Sequence, residues 1–284
     1  MYLEKRRNMK KLMAMVVAVV SAVVVFANDL AEIKAKIEKD HVIMAVDRFH
    51  GFDRVVFDFK GYEAWVVCPE DETRAGTPWT WCMQWATAFV PRTNVPQMLR
   101  GGYHHVTINT FKHRMDETGL KVSAAFQKYL AERLGFAPKA YLIGMSWGGF
   151  FSVRYAATYP ANVAKIYLDC PLLTFHGFAP KGTPTENAAR IGPWAALMPD
   201  DDDWMDDPRM PINIFPPIAQ TKIPVLLIYG GQDQTLNPDL NSRLFIPRFQ
   251  KAGGDITVIY RARCGHHPHG VEVDETTIRD FFEK

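Results

Sequence analysis

A serine between glycines, an aspartate and a histidine are the residues of this chain whose types and spacing could do chemistry together. Gly144-Met145-Ser146-Trp147-Gly148 is a G-x-S-x-G pentapeptide. It follows Ala140-Tyr141-Leu142-Ile143, which reads as a short strand, and precedes a helical stretch from about Gly149 to Tyr159, closed by Pro160. A sharp strand-to-helix turn at that place would lift Ser146 Oγ clear of the chain, and the glycines give the turn room. The N–H of Trp147 would lie at a helix N-terminus, suited to a developing oxyanion. A glycine-rich turn with a structural serine is the plainer alternative.

A serine hydroxyl is a weak nucleophile and needs a base, itself oriented by an acid. Both follow along the chain. Pro224 to Ile228 reads as a buried strand running through Tyr229-Gly230-Gly231-Gln232 to Asp233, the favoured carboxylate, with Asp239 a second choice. Asp233 would also suit a turn or a helix cap. Ile256 to Tyr260 reads as another strand, leading to Cys264-Gly265-His266-His267-Pro268-His269. His266, next to the glycine, is the expected base, and His267 and His269 are supporting or surface groups. Three histidines in four positions could also suggest a metal, but no suitable ligand spacing sits nearby, so no metal is expected.

The elements that must position these groups alternate between strand and helix. Arg54–Phe59 and Glu63–Cys68 read as strands around a Lys60-Gly61-Tyr62 turn, and His105–Asn109 and Val163–Asp169 as two more. A short helix is expected from Trp81 to Phe89. Leu120, Val122, Ala125, Phe126, Tyr129, Leu130 and Leu134 recur at helical spacing up to Gly135. Further helices are expected over Asp239–Gln250, kinked at Pro247, and near Glu275–Phe282. Alternating strands and helices imply an α/β fold with a mostly parallel central sheet covered on both faces. Residues 171 to 220 break the rhythm and are too long for a plain loop, which implies an inserted lid. The six aspartates between Asp200 and Asp207 lack the glycine and closing glutamate of an EF-hand loop, and read as a solvated turn.

Composition sets the bounds. With 48% hydrophobic residues, 4 Cys and 19 each of Gly and Pro in 284 positions, disorder, collagen and a disulfide scaffold are excluded. The net charge of +2 is local. Lys5, Arg6, Arg7, Lys10 and Lys11 against Glu4 exceed the whole positive balance, so no nucleic-acid surface is implied. The apolar run Leu12–Ala27 behind Lys10-Lys11 reads as a signal peptide over residues 1–27, cleaved before Asn28, with Met9 an alternative start. The run is shorter than the roughly 20 residues a membrane helix needs, so residues 28–284 are expected as a secreted or periplasmic catalytic domain without stable membrane insertion. Cys68, Cys82, Cys170 and Cys264 are then either paired, in up to two bridges, or buried free thiols.

With these motifs in the order Ser, Asp, His, the chain from about residue 54 onward resembles an α/β-hydrolase. Gly76-Thr77-Pro78-Trp79-Thr80-Trp81, Gly144 to Gly149 and Gly265-His266-His267-Pro268-His269-Gly270 are similar to a secreted bacterial branch grouped with carbohydrate esterases and prolyl-oligopeptidase-like hydrolases. Many members carry His-Gly at the end of the strand before the oxyanion loop, and here Cys68-Pro69 occupies that point. The N–H of Glu70 then becomes the second oxyanion donor, with Trp79 or Trp81 as substitutes. The resemblance implies ester hydrolysis through an acyl-enzyme on Ser146, with His266 as base, Asp233 as its partner and no cofactor. Trp79, Trp81 and Trp147 could stack on sugar rings, which points to a glycan-linked or small acyl ester. The alternatives are a small aminopeptidase and a non-catalytic binding protein on the same fold.

Overall fold

The computed structural model describes residues 28–70, 72–178, 184–197 and 204–284. Residues 1–27, expected as a signal peptide, and Asp200–Asp203 of the acidic run lie outside them. Nine strands are present among the described residues: β1 (Ile43–Phe49), β2 (Phe52–Asp58), β3 (Glu63–Val67), β4 (Trp79–Cys82), β5 (His104–Ile108), β6 (Ala140–Met145), β7 (Val163–Asp169), β8 (Val225–Gly230) and β9 (Ile256–Arg261). They form one sheet in the order β1-β2-β3-β5-β4-β6-β7-β8-β9. The pairs β1–β2, β2–β3 and β3–β5 are antiparallel, and every pair from β5–β4 to β8–β9 is parallel.

Side chains alternate across this sheet and feed two cores. Ile166 and Leu168 of β7 enter one, while Tyr167 enters the other. On the first face lie α1 (Asn28–Glu38), α3 (Glu117–Tyr129), α4 (Trp147–Thr158) and α8 (Ser242–Lys251), through Ile33, Phe126, Phe150 and Phe249. On the second lie α2 (Val95–Arg100) and α9 (Thr277–Glu283), through Met98 and Phe282. Asp116 starts α3 by accepting the Gly119 N–H at 2.8 Å, as an N-cap should.

The helix expected over Trp81–Phe89 is absent, and β4 stands there. The spacing of Trp81 and Trp85 looks helical, yet the four-residue strand is buried on both faces and so shows no alternation to read.

The described parts of residues 171–220, the stretch expected as an insertion, carry α5 (Pro184–Ile191), α6 (Pro211–Ile214) and α7 (Pro216–Gln220). Aromatic contacts seat two of its described tryptophans. Trp194 and Trp204 pack edge-on against Phe175 at 5.7 and 5.2 Å, and the guanidinium of Arg154 on α4 lies 4.6 Å from the Trp194 ring centre. All four cysteines are free, with Cys68, Cys82 and Cys170 buried and Cys264 exposed. No described helix is long and apolar enough to cross a membrane.

Candidate active site

The turn between β6 and α4 has the strained geometry that the pentapeptide requires. Ser146 stands at φ 52 and ψ −118, outside the comfortable regions for a residue with a side chain. Its N–H donates to Asp169 O at 3.0 Å and its carbonyl accepts from Gly149 and Leu172, so the backbone around it is held on three sides. A Cβ at Gly144 would come within 2.8 Å of the Gly148 carbonyl oxygen, which explains the need for glycine there.

Asp233 and His266 lie on the loops that follow β8 and β9. The loops touch closely. Gln232 N–H donates to Cys264 O at 2.9 Å, and a Cβ on Gly230 would collide with the carbonyls of Gly265 and Cys264. His266 Nδ1 lies 2.7 Å from Asp233 Oδ2, and His266 Nε2 lies 3.1 Å from Ser146 Oγ. An ionised carboxylate only accepts, so Nδ1 carries the proton and the Nε2 lone pair faces the serine hydroxyl. Asp233 also does what a turn former does, its Oδ1 accepting from Thr235 and Leu236 N–H at 2.9 and 2.8 Å. Burial pushes its carboxyl pKa up, but His266 and these two N–H groups outweigh that and hold it below the ordinary range. Asp239 is exposed and paired with Arg243, away from this cluster.

The structure does not bring Glu70, expected as the second oxyanion donor, to the serine turn. Glu70 follows β3, which runs antiparallel to its neighbour β5 and therefore ends at the opposite edge of the sheet from Ser146. Its N–H is directed at Leu99 O and its carboxylate at Arg100. The strand that does end beside the nucleophile is β4. Met83 N–H after it bonds Ile143 O of β6, and the next N–H, that of Gln84, has no partner among the described residues. It lies 3.4 Å from where a Cβ on Gly148 would stand, against the start of α4, and the Trp147 N–H is likewise free. Gln84 is turned this way by its carbonyl, which accepts the thiol of buried Cys82 at 3.1 Å. Burial pushes that thiol up to about 12, so it stays protonated and donates.

Trp79 and Trp81 cannot bind a substrate. Both are β4 residues, 0% and 1% exposed, with Trp79 Nε1–H donating to Ala137 O at 2.8 Å. The Trp147 ring is buried among Phe111, Phe150, Phe175 and Phe178. Trp85, 41% exposed and just beyond Gln84, is the ring that faces outward. With Gln84, Thr107 and Phe111 it lines a cleft of about 250 Å³.

A second buried pair supports the first. Asp169, at the end of β7, accepts from His269 Nδ1 at 2.8 Å, from Gly270 N–H at 2.7 Å and from the Tyr167 hydroxyl. The His269 and Gly270 donors pin the loop that carries His266 to β7, beside the serine turn, and the Tyr167 hydroxyl on the same strand holds the carboxylate in place. His269, read from sequence as a supporting or surface group, is therefore a buried anchor. Ring nitrogens of His266, His267 and His269 come within 4.8 Å of one another, closer than their spacing alone suggests, although a metal there would compete with the contact to Ser146.

Comparison with known proteins bears on the fold. The family model described as alpha/beta hydrolase fold matches residues 111–199, which include the serine turn and part of the insertion. Curated proteins give no significant sequence match. Among solved structures, an acylaminoacyl peptidase in complex with a chloromethyl ketone is similar at TM-score 0.58 and 13% identity, covering 86% of this chain and 49% of that one. The acylaminoacyl peptidase of Pyrococcus horikoshii is similar at 0.54 and 13%, covering 86% and 48%. An S-formylglutathione hydrolase from Agrobacterium tumefaciens is similar at 0.58 and 14%, covering 85% and 95%. The chain thus spans about half the length of these acylaminoacyl peptidases. It has the α/β-hydrolase fold, as the motif order led one to expect.

Proposed function

On the premise of that fold, we propose that the protein is a serine hydrolase that cleaves carboxylic esters through an acyl-enzyme on Ser146. The observation that carries this is the unbroken chain of contacts from Asp233 through His266 to Ser146 Oγ, 2.7 and 3.1 Å long. Ser146 Oγ attacks the ester carbonyl as His266 Nε2 takes its proton. The Nδ1–H bond to Asp233 stabilises the imidazolium so formed. The N–H groups of Trp147 and Gln84 donate to the developing oxyanion, each contributing roughly 3 kcal/mol to transition-state stabilisation. His266 returns the proton to the leaving alcohol, and water, activated by the same base, then releases the acid.

Glycan-linked or small acyl esters are the substrates we favour. Trp85 now carries the stacking argument alone, since Trp79 and Trp81 are core residues. The cleft beside it suits a small acyl or alcohol group better than a long chain. The leader over residues 1–27 supports export, to the cell exterior or the periplasm. Hydrolysis of p-nitrophenyl acetate and butyrate by the wild type and Ser146→Ala tests the reading. Turnover that vanishes in the variant supports it. Equal turnover in both rejects it, and a folded wild type that cleaves aminoacyl p-nitroanilides but not esters would favour an aminopeptidase.

A further inference from the structure

At the other end of the sheet, three residues distant in sequence bring together a carboxylate, a thiol and an imidazole. Asp29 lies in the first turn of α1, Cys68 follows β3 and His104 begins β5. One donor atom from each lies within 4.8 Å of the other two. Because β3 and β5 are antiparallel, this point is on the edge opposite the ends of β6, β8 and β9, and so apart from Ser146.

His104 is the observation that demands an explanation. It is 1% exposed, yet neither ring nitrogen has a hydrogen-bond partner among the described residues. Buried polar atoms without partners are rare, and an ion is one of the standard reasons for them. Nε2 lies 3.1 Å from Asp29 Oδ2, but their lines do not meet as a hydrogen bond, and that oxygen already accepts from Thr73 Oγ1 at 2.9 Å. A nitrogen and an oxygen bound to one tetrahedral ion at about 2.0–2.1 Å would lie roughly 3.3 Å apart without pointing at each other. That is the relation seen here.

We propose that Asp29, Cys68 and His104 bind a divalent transition cation of the zinc class, which fastens α1 to the sheet. Mixed thiolate, imidazole and carboxylate donors suit such an ion and disfavour calcium or magnesium. Binding moves no electrons. The thiol proton leaves to solvent, Cys68 Sγ closes on the metal, and the fourth position is open to water from the adjoining cleft of about 600 Å³, lined by Asp29, Thr73 and His104. The site does not depend on the ester-hydrolase reading.

Cobalt(II) titration of the full, reduced, chelator-washed chain tests it, read by the thiolate-to-cobalt absorption band. The expected result is one equivalent bound with that band, displaced by zinc, and a Tm that rises with zinc. Cys68→Ser should lose the band and the Tm response, and Asp29→Asn, at the more accessible ligand, should weaken binding more than about tenfold. A folded wild type without the band overturns the proposal. So does a band that survives Cys68→Ser, or cobalt binding that lacks the band and is abolished by His267→Ala.

Discussion

Asp233 is assigned two tasks by two different oxygens, and substitutions can separate them. Oδ2 meets His266 Nδ1, while Oδ1 accepts from Thr235 and Leu236 N–H. Asp233→Asn can keep the Oδ1 bonds but sets an N–H₂ or a neutral oxygen against the imidazole, which favours the wrong tautomer. The expected loss in kcat for p-nitrophenyl butyrate is on the order of 10⁴. The stability cost should be small, about 1 kcal/mol, the difference between a charged and a neutral acceptor. Asp233→Ala removes both tasks and leaves two N–H groups without an acceptor. Its activity should fall as far, and its stability by about 2 kcal/mol more than that of the asparagine variant. For a domain of this size that is a further Tm drop of roughly 4–8 °C. Steady-state kinetics and calorimetry on the two variants give both readouts. An asparagine variant with near wild-type kcat refutes the orienting role, and an alanine variant as stable as the asparagine one refutes the turn role.

Four other expectations follow from the same geometry. The Asp233 carboxyl is depressed in the folded state, so its contribution to stability is present above the ordinary carboxylate pKa of about 4 and is lost as pH falls through the folded value. Denaturant titrations should therefore show the gap between wild type and Asp233→Asn at pH 7 and its closure at lower pH, whereas a constant gap would contradict the assignment. Asp169→Ala strips three buried donors of their acceptor and should cost roughly 3 kcal/mol, read from the denaturant midpoint; an unchanged midpoint would mean the loop is held otherwise. Gly230→Ala should force the Asp233 and His266 loops apart and lower kcat more than about tenfold, as a misplacement near 1 Å can, and retained kcat would show that the loops yield freely. Trp85→Ala should leave Tm within about 1 °C, as an exposed position allows, while changing kcat/KM across ester chain lengths, and an unaltered chain-length profile would remove Trp85 from the substrate path.

The serine turn was legible because it joins a strand of apolar residues to a helix through glycines at fixed offsets. Asp233 and His266 were legible for a related reason, since each follows a parallel strand through a glycine turn, the buried β8 for Asp233 and the half-exposed last strand β9 for His266. Two strands, β1 and β4, have no counterpart in the sequence reading, and the second explains the errors at the site. β4 is four residues long and enclosed on both faces, so nothing in its polarity marks it as a strand. Without it, the strand before the oxyanion loop reads as β3, which points to Glu70, whereas the N–H that lies against the start of α4 is that of Gln84. The same omission left Trp79 and Trp81 as free rings, though β4 carries them into the core. Asp169 escaped notice because a carboxylate ending a strand is common, and its partners His269 and Gly270 lie a hundred residues onward. The Asp29, Cys68 and His104 cluster was invisible for the same reason: antiparallel pairing brings Cys68 beside His104, and the packing of α1 adds Asp29, so spacing carries no sign of it.

The central claim is that Ser146 carries the acyl group. Reaction of the wild type with a fluorophosphonate, followed by peptide mass mapping, tests it most directly. The account predicts a single adduct on Ser146, formed far more slowly in His266→Ala because the base that activates the hydroxyl is gone. An adduct on another residue, or labelling of Ser146 at an unchanged rate without His266, would contradict it.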